Sequence, residues 1–148
     1  MQLRTVLVAD DSAMFRGMIG AVLAEQGLAV VEAADGIDAL RLIDAERPGL
    51  VILDALMPGL SGFDVLRRLR ERSSANVPVI FLVTGVFRSR RWAAEALAQF
   101  PIAEYVEKPV DPDELLRTIL RHFPDTDVTA PRRCARPDSR RGRAAGAA

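Results

Sequence analysis

Lysine is nearly missing from this 148-residue chain: nineteen of its 20 basic residues are Arg, and Lys108 stands alone. Cys, His, Trp and Tyr occur once each. With Cys134 as the sole thiol, an intramolecular disulfide is excluded, and no Cys/His cluster exists for a structural zinc. His122 is the single candidate for an imidazole base. No apolar run approaches the ~20 residues that span a bilayer, and the N-terminus lacks a signal-peptide pattern. No membrane insertion is therefore expected, and a cytoplasmic location is the default. Neither a GxxxxGK[ST] nor a GxGxxG phosphate loop is present.

What the chain does have is enough apolar material for a core, 49% of residues. Its zero net charge is a sum of two unlike parts. Residues 1–123 carry 14 basic and 17 acidic groups, net −3; residues 124–148 carry 6 basic and 3 acidic groups, net +3. The second part is rich in Pro, Ala and Arg without apolar periodicity, and reads as a basic, disordered tail. The expected division is a domain over 1–123 and a tail over 124–148.

The first 123 residues alternate short apolar runs with longer amphipathic ones. Strands are expected at 5–9, 28–33, 50–53, 79–83 and 105–107. Helices are expected at 12–25, 36–46, 61–72 and 90–99, with a last one capped by Asp111 and opened by Pro112. Ser61 with Asp64 resembles a capping box. Phe15, Met18, Ile19, Val22 and Leu23 mark the inner face of the first helix, and Ile37, Leu40 and Ile43 that of the second. Leu50-Val51-Ile52-Leu53 is apolar throughout, as suits a strand covered on both faces. A βαβαβαβαβα order predicts an α/β fold, a parallel sheet between helical layers.

Ligands of such sheets gather beyond the carboxyl ends of the strands. Asp10 and Asp11 follow the first strand, Asp54 the third, Thr84 the fourth and Lys108 the fifth. Singly, each has a plainer role: a helix cap, a turn, a strand end. Jointly they suggest an acidic pocket whose mutual repulsion a hard cation would offset, and Mg²⁺ suits a site of few oxygen ligands. Asp10, Asp11, Asp54 and the backbone carbonyl of Leu56 are the candidate metal ligands. An Asp carboxylate can accept a phosphoryl group, with Lys108 and Thr84 placed to meet its oxygens.

The stretches VLVADDS (6–12), EAADG (32–36), VILDALMPGLSG (51–62), VIFLVTG (79–85) and YVEKP (105–109) resemble the receiver domain of two-component response regulators. The resemblance covers residue 3 to about 123. It implies a doubly wound (βα)5 flavodoxin-like fold of three layers, with a five-stranded parallel sheet in the order 2-1-3-4-5. It implies Asp54 as phosphoacceptor, Thr84 and Lys108 as its catalytic partners, and Thr84 with Tyr105 as a coupled switch. The expected donor is a phosphohistidine on a sensor histidine kinase or histidine phosphotransfer protein. The expected output is a changed surface on the fourth predicted helix, fifth strand and last helix, read by a downstream protein. Monomer and phosphorylation-dependent dimer both fit. Turnover of a separate substrate and binding to nucleic acid are not expected.

Two alternatives compete: a DNA-associated regulator using the Arg-rich tail, or a phosphorylation-independent scaffold. Thr84 and Lys108 lie 24 positions apart, slightly more than such domains usually show, and an unusual loop is expected before the fourth helix around Phe87 and Trp92. Leu56 and Val86, two residues after Asp54 and Thr84, are apolar where the resemblance implies polar residues that often align water, so slow loss of an acyl phosphate is expected.

Overall fold

The computed structural model describes residues 2–72, 77–85, 98 and 100–126. Within them the elements are β1 (Thr5–Ala9), α1 (Ala13–Glu25), β2 (Ala29–Ala33), α2 (Gly36–Glu46), β3 (Leu50–Asp54), α3 (Gly62–Glu71), β4 (Val79–Thr84), β5 (Glu104–Glu107) and α4 (Pro112–His122). The five strands form one parallel sheet in the order β2-β1-β3-β4-β5, as expected. Of the fourth predicted helix only Ala98 is among the described residues; Val86, Phe87 and Trp92 lie outside them, as does the chain from 127 onward.

The central strands are apolar without interruption because both of their faces are covered. Leu7 and Ala9 of β1, Val51 and Leu53 of β3, and Ile80 and Leu82 of β4 pack with Leu40 and Ile43 of α2 and Leu66 and Leu69 of α3. The intervening Val6 and Val8, Leu50 and Ile52, and Phe81 and Val83 pack with Phe15, Ile19 and Leu23 of α1 and Leu115 and Ile119 of α4. The period-2 alternation of each strand divides its side chains between two cores.

Local sequence explains most helix ends. Ser12 caps α1 and Asp35 caps α2. Ser61 and Asp64 close the reciprocal capping box of α3, and Asp111 accepts the Asp113 and Glu114 N–H groups ahead of α4. Two inward expectations fail: Met18 is 41% exposed and Ile37 68%. Both sit at the edge of a stripe that Ile19 and Leu23, or Leu40 and Ile43, already complete. Conversely, Val65 of α3 is fully buried beside Leu66.

The 24-residue separation of Thr84 and Lys108 leaves the sheet register intact. Thr84 pairs with Glu107, and the Lys108 N–H donates to the Thr84 carbonyl at 2.9 Å. The Lys108–Pro109 bond is cis. His122 closes α4 against the sheet: its Nε2 stands 2.9 Å from Glu104 Oε1, and its ring meets Phe81 edge-on at 5.2 Å. Just beyond α4, the Leu3 N–H donates to the Thr126 hydroxyl at 2.9 Å, and both residues are buried.

Candidate functional site

The parallel register delivers the carboxyl ends of β1, β3, β4 and β5 to one edge of the sheet. Asp10 follows β1 and is fully buried; Asp54 is the last residue of β3 and nearly so. Asp11, one residue after Asp10, is exposed. Oxygens of all three carboxylates lie within 4.8 Å of one another, and among the described residues they form the group of acidic side chains close enough to share an ion.

Backbone turns aim these groups. The Ser12 N–H donates to Asp10 Oδ1 at 2.8 Å, and the Asp10 N–H donates to the Ala33 carbonyl of β2 at 3.0 Å. The Leu56 N–H donates to Asp54 Oδ1 at 3.1 Å. The loop after Asp54 folds back so tightly that the Gly62 N–H meets the Ala55 carbonyl at 3.0 Å. A Cβ on Gly62 would stand 2.2 Å from the Asp54 carbonyl oxygen, and one on Gly36 would stand 2.2 Å from that of Leu60. Only glycine permits these two approaches, which hold the β3–α3 loop over the strand end.

Lys108 supplies the positive charge. Its Nζ donates to Asp10 Oδ2 at 2.6 Å and reaches Asp54 Oδ2 at 3.5 Å. Burial opposes that charge, but the hydrogen bond to Asp10 and the fields of Asp54 and Asp10 outweigh it, so the Lys108 pKa lies above its ordinary value. Burial also raises the Asp54 pKa; the Leu56 N–H works against this, the Asp10 charge adds to it, and Lys108 again opposes it. Thr84 is buried at the end of β4. Tyr105 stands one alternation back from the pocket, paired with Leu82 and packed against the α2–α3 core, where burial raises its pKa.

The expected residues Asp10, Asp11, Asp54 and Lys108 thus converge, Thr84 ends the adjoining strand, and Leu56 lies on the loop beside Asp54. Two neighbours were not foreseen. Phe15 places its ring under the Lys108 ammonium, 4.5 Å from Nζ to centroid. Arg16 donates from Nη1 to the Asp10 carbonyl at 2.7 Å and from Nε to Glu32 at 3.3 Å. The signal that could have found them is their place on the first turn of α1, directly after the Asp10-Asp11-Ser12 cap.

The donor set fits a hard divalent cation. It is all oxygen, it is anionic, and one of its carboxylates is buried beside a second whose ionisation burial disfavours.

Comparison with known proteins agrees with this geometry. Residues 6–120 match the response regulator receiver domain family. Protein PilH of Pseudomonas aeruginosa is 34% identical over 116 residues, 77% of this chain and 93% of that protein. "Probable transcriptional regulator ycf27" of Porphyridium aerugineum is 38% identical over 124 residues, 82% of this chain but 50% of that protein. The chain spans about half the length of the first curated relatives it matches. Among solved structures, the response regulator receiver domain of Bermanella marisrubri is 33% identical with a TM-score of 0.71, covering 82% of this chain and 98% of that one. The chemotaxis protein CheY4 of Vibrio cholerae is 30% identical, also with a TM-score of 0.71, covering 80% and 98%. With the family match, the sheet order and the acidic cluster beside Lys108 in agreement, the chain belongs to the response regulator receiver domain family.

Proposed function

We propose that the chain is a phosphorelay receiver that takes a phosphoryl group from a phosphohistidine onto Asp54. The observation that carries this reading is the placement of Lys108. The only lysine of the chain sets its ammonium between a fully buried carboxylate, Asp10, and the nearly buried Asp54 at the end of β3.

In the transfer, an Asp54 carboxylate oxygen attacks phosphorus, the O–P bond forms, the P–N bond to the donor imidazole breaks, and the imidazole leaves with that electron pair. The Leu56 N–H engages Oδ1 of Asp54 and so fixes the plane of the carboxylate. Lys108 neutralises charge on the phosphoryl oxygens, and the Thr84 hydroxyl donates to one of them. Asp10, Asp11 and Asp54, with the carbonyl of Leu56, would hold Mg²⁺. When bound, that ion offsets the carboxylate repulsion and the charge gathered on the transferring group.

The output follows from moving Lys108 and Thr84 toward a new dianion. Both are tied to β5, Lys108 by sequence and Thr84 through its pairing with Glu107. Tyr105 lies on the same strand. The population shifts toward a state in which the surface of the fourth predicted helix, β5 and α4 presents differently to a downstream protein.

The deciding experiment treats wild type and Asp54→Asn with acetyl phosphate, with and without Mg²⁺, and reads intact mass promptly. One added phosphoryl group that needs Mg²⁺ and is absent from the variant is expected. A mass gain retained by Asp54→Asn would remove Asp54 from its role.

A further inference from the structure

Four contacts on the first turn of α1 close into a circuit around the ammonium. Asp10 Oδ1 accepts the Ser12 N–H at 2.8 Å. The Ser12 hydroxyl, capping the helix, accepts the Phe15 N–H at 3.2 Å. The Phe15 ring lies 4.5 Å below Lys108 Nζ, and Lys108 donates back to Asp10 Oδ2 at 2.6 Å. The helix cap therefore fixes where the ring stands relative to the same carboxylate that holds the lysine.

We infer that Phe15 is a positioning residue for Lys108, a cation–π platform that keeps the ammonium within reach of Asp54. This rests on the phosphoacceptor reading of Asp54. Lys108 has three places to go. Asp10 holds it closely, Asp54 stands farther off at 3.5 Å, and solvent is open to a side chain that is 26% exposed. A flexible four-carbon stem does not choose among these by itself. The negative face of an aromatic ring attracts a cation within ~6 Å of its centroid, most strongly where water is partly excluded. Phe15 is itself nearly buried in the α1–α4 core and cannot swing away. An aliphatic residue there would fill the core equally well and give the ammonium no preferred seat.

The chain offers a clean probe, because Lys108 is its only lysine. Protein grown on ¹³C-lysine yields a single ε-methylene signal, which ring current moves upfield only while it lies over the Phe15 face. Wild type, Phe15→Leu and Phe15→Tyr are compared by this signal, by thermal melting to confirm folding, and by the initial rate of labelling with acetyl phosphate and Mg²⁺. The upfield signal is expected in wild type and Phe15→Tyr and not in Phe15→Leu. Labelling of Phe15→Leu should slow by roughly 3- to 10-fold per folded molecule, within the range of cation–π attraction, and Phe15→Tyr should restore it. A Phe15→Leu signal unchanged from wild type, or a Phe15→Leu rate equal to wild type, overturns the proposal. If wild type takes up no phosphoryl group at all, the phosphoacceptor reading fails instead, and the lysine signal alone decides whether Phe15 seats Lys108.

Discussion

Lys108 Nζ lies 2.6 Å from Asp10 and 3.5 Å from Asp54, so the ammonium is held chiefly by the neighbour of the proposed acceptor. Asp10 is the more deeply buried of the two and the dearer to leave unpaired. Lys108→Ala should therefore destabilise metal-free protein by about 1–3 kcal/mol, below the range for fully buried pairs because Lys108 is part exposed. Mg²⁺ should recover part of that loss. Urea unfolding with EDTA or with Mg²⁺ measures both, and a metal-free variant as stable as wild type would contradict the pairing.

The raised pKa of Asp54 has a defined sign. A carboxyl raised in the folded state contributes its stability while protonated, below its ordinary value of 3.8, and loses it as pH climbs through the folded-state value. Asp54→Asn should thus raise the melting temperature of metal-free protein more at pH 7.5 than at pH 4.5. Melting curves in EDTA at the two values test this; a larger gain at the acidic value would reverse the assignment.

Asp11 and Asp10 are adjacent but differ in burial, and that separates two kinds of effect. Asp11→Asn, on the surface, should change metal-free stability by no more than about 0.5 kcal/mol. It should nevertheless weaken the rise in melting temperature that Mg²⁺ produces by binding the folded state. A Mg²⁺ titration followed by melting resolves the two, and an undiminished rise would take Asp11 out of the metal site.

Glycines divide in the same way. Gly62→Ala would drive a Cβ to 2.2 Å from the Asp54 carbonyl oxygen, so a loss of about 2–3 kcal/mol and impaired labelling of Asp54 are expected. Gly17→Ala meets nothing within 4 Å on an exposed position inside α1, and should stabilise by roughly 0.5–1 kcal/mol. Denaturant midpoints of the two variants should move in opposite directions.

Leu56 is 45% exposed beside the proposed acceptor and carries no group to orient water. The acyl phosphate should persist for minutes or longer, and intact-mass decay after removal of the phosphodonor measures it. Decay within seconds would refute the expectation.

The sheet was legible because β1, β3 and β4 are apolar runs bounded by turns and separated by capped amphipathic helices. The pocket was legible because its residues fall at strand ends, where register must gather them. Three things were not. Periodicity counts apolar residues without measuring how wide a stripe the core can cover, so Met18 and Ile37 were assigned inward. Asp54 was set just outside its strand, though it pairs with Val83 as the last rung of β3. Phe15 read as core alone, because a ring's contact with a residue 93 positions away depends on tertiary packing rather than on spacing.

The bond between the Leu3 N–H and the Thr126 hydroxyl has a consequence for access. Leu3 precedes β1 and Asp10 follows it, and a strand rises about 3.3 Å per residue, so roughly 20 Å of sheet separates that bond from the Asp10 and Asp54 carboxylates. The backbone is clamped at the end of the sheet remote from Asp10, Asp54 and Lys108. Thr126 therefore stands at the opposite end of the sheet from the proposed acceptor, and the bond that anchors it leaves the approach to Asp54 clear.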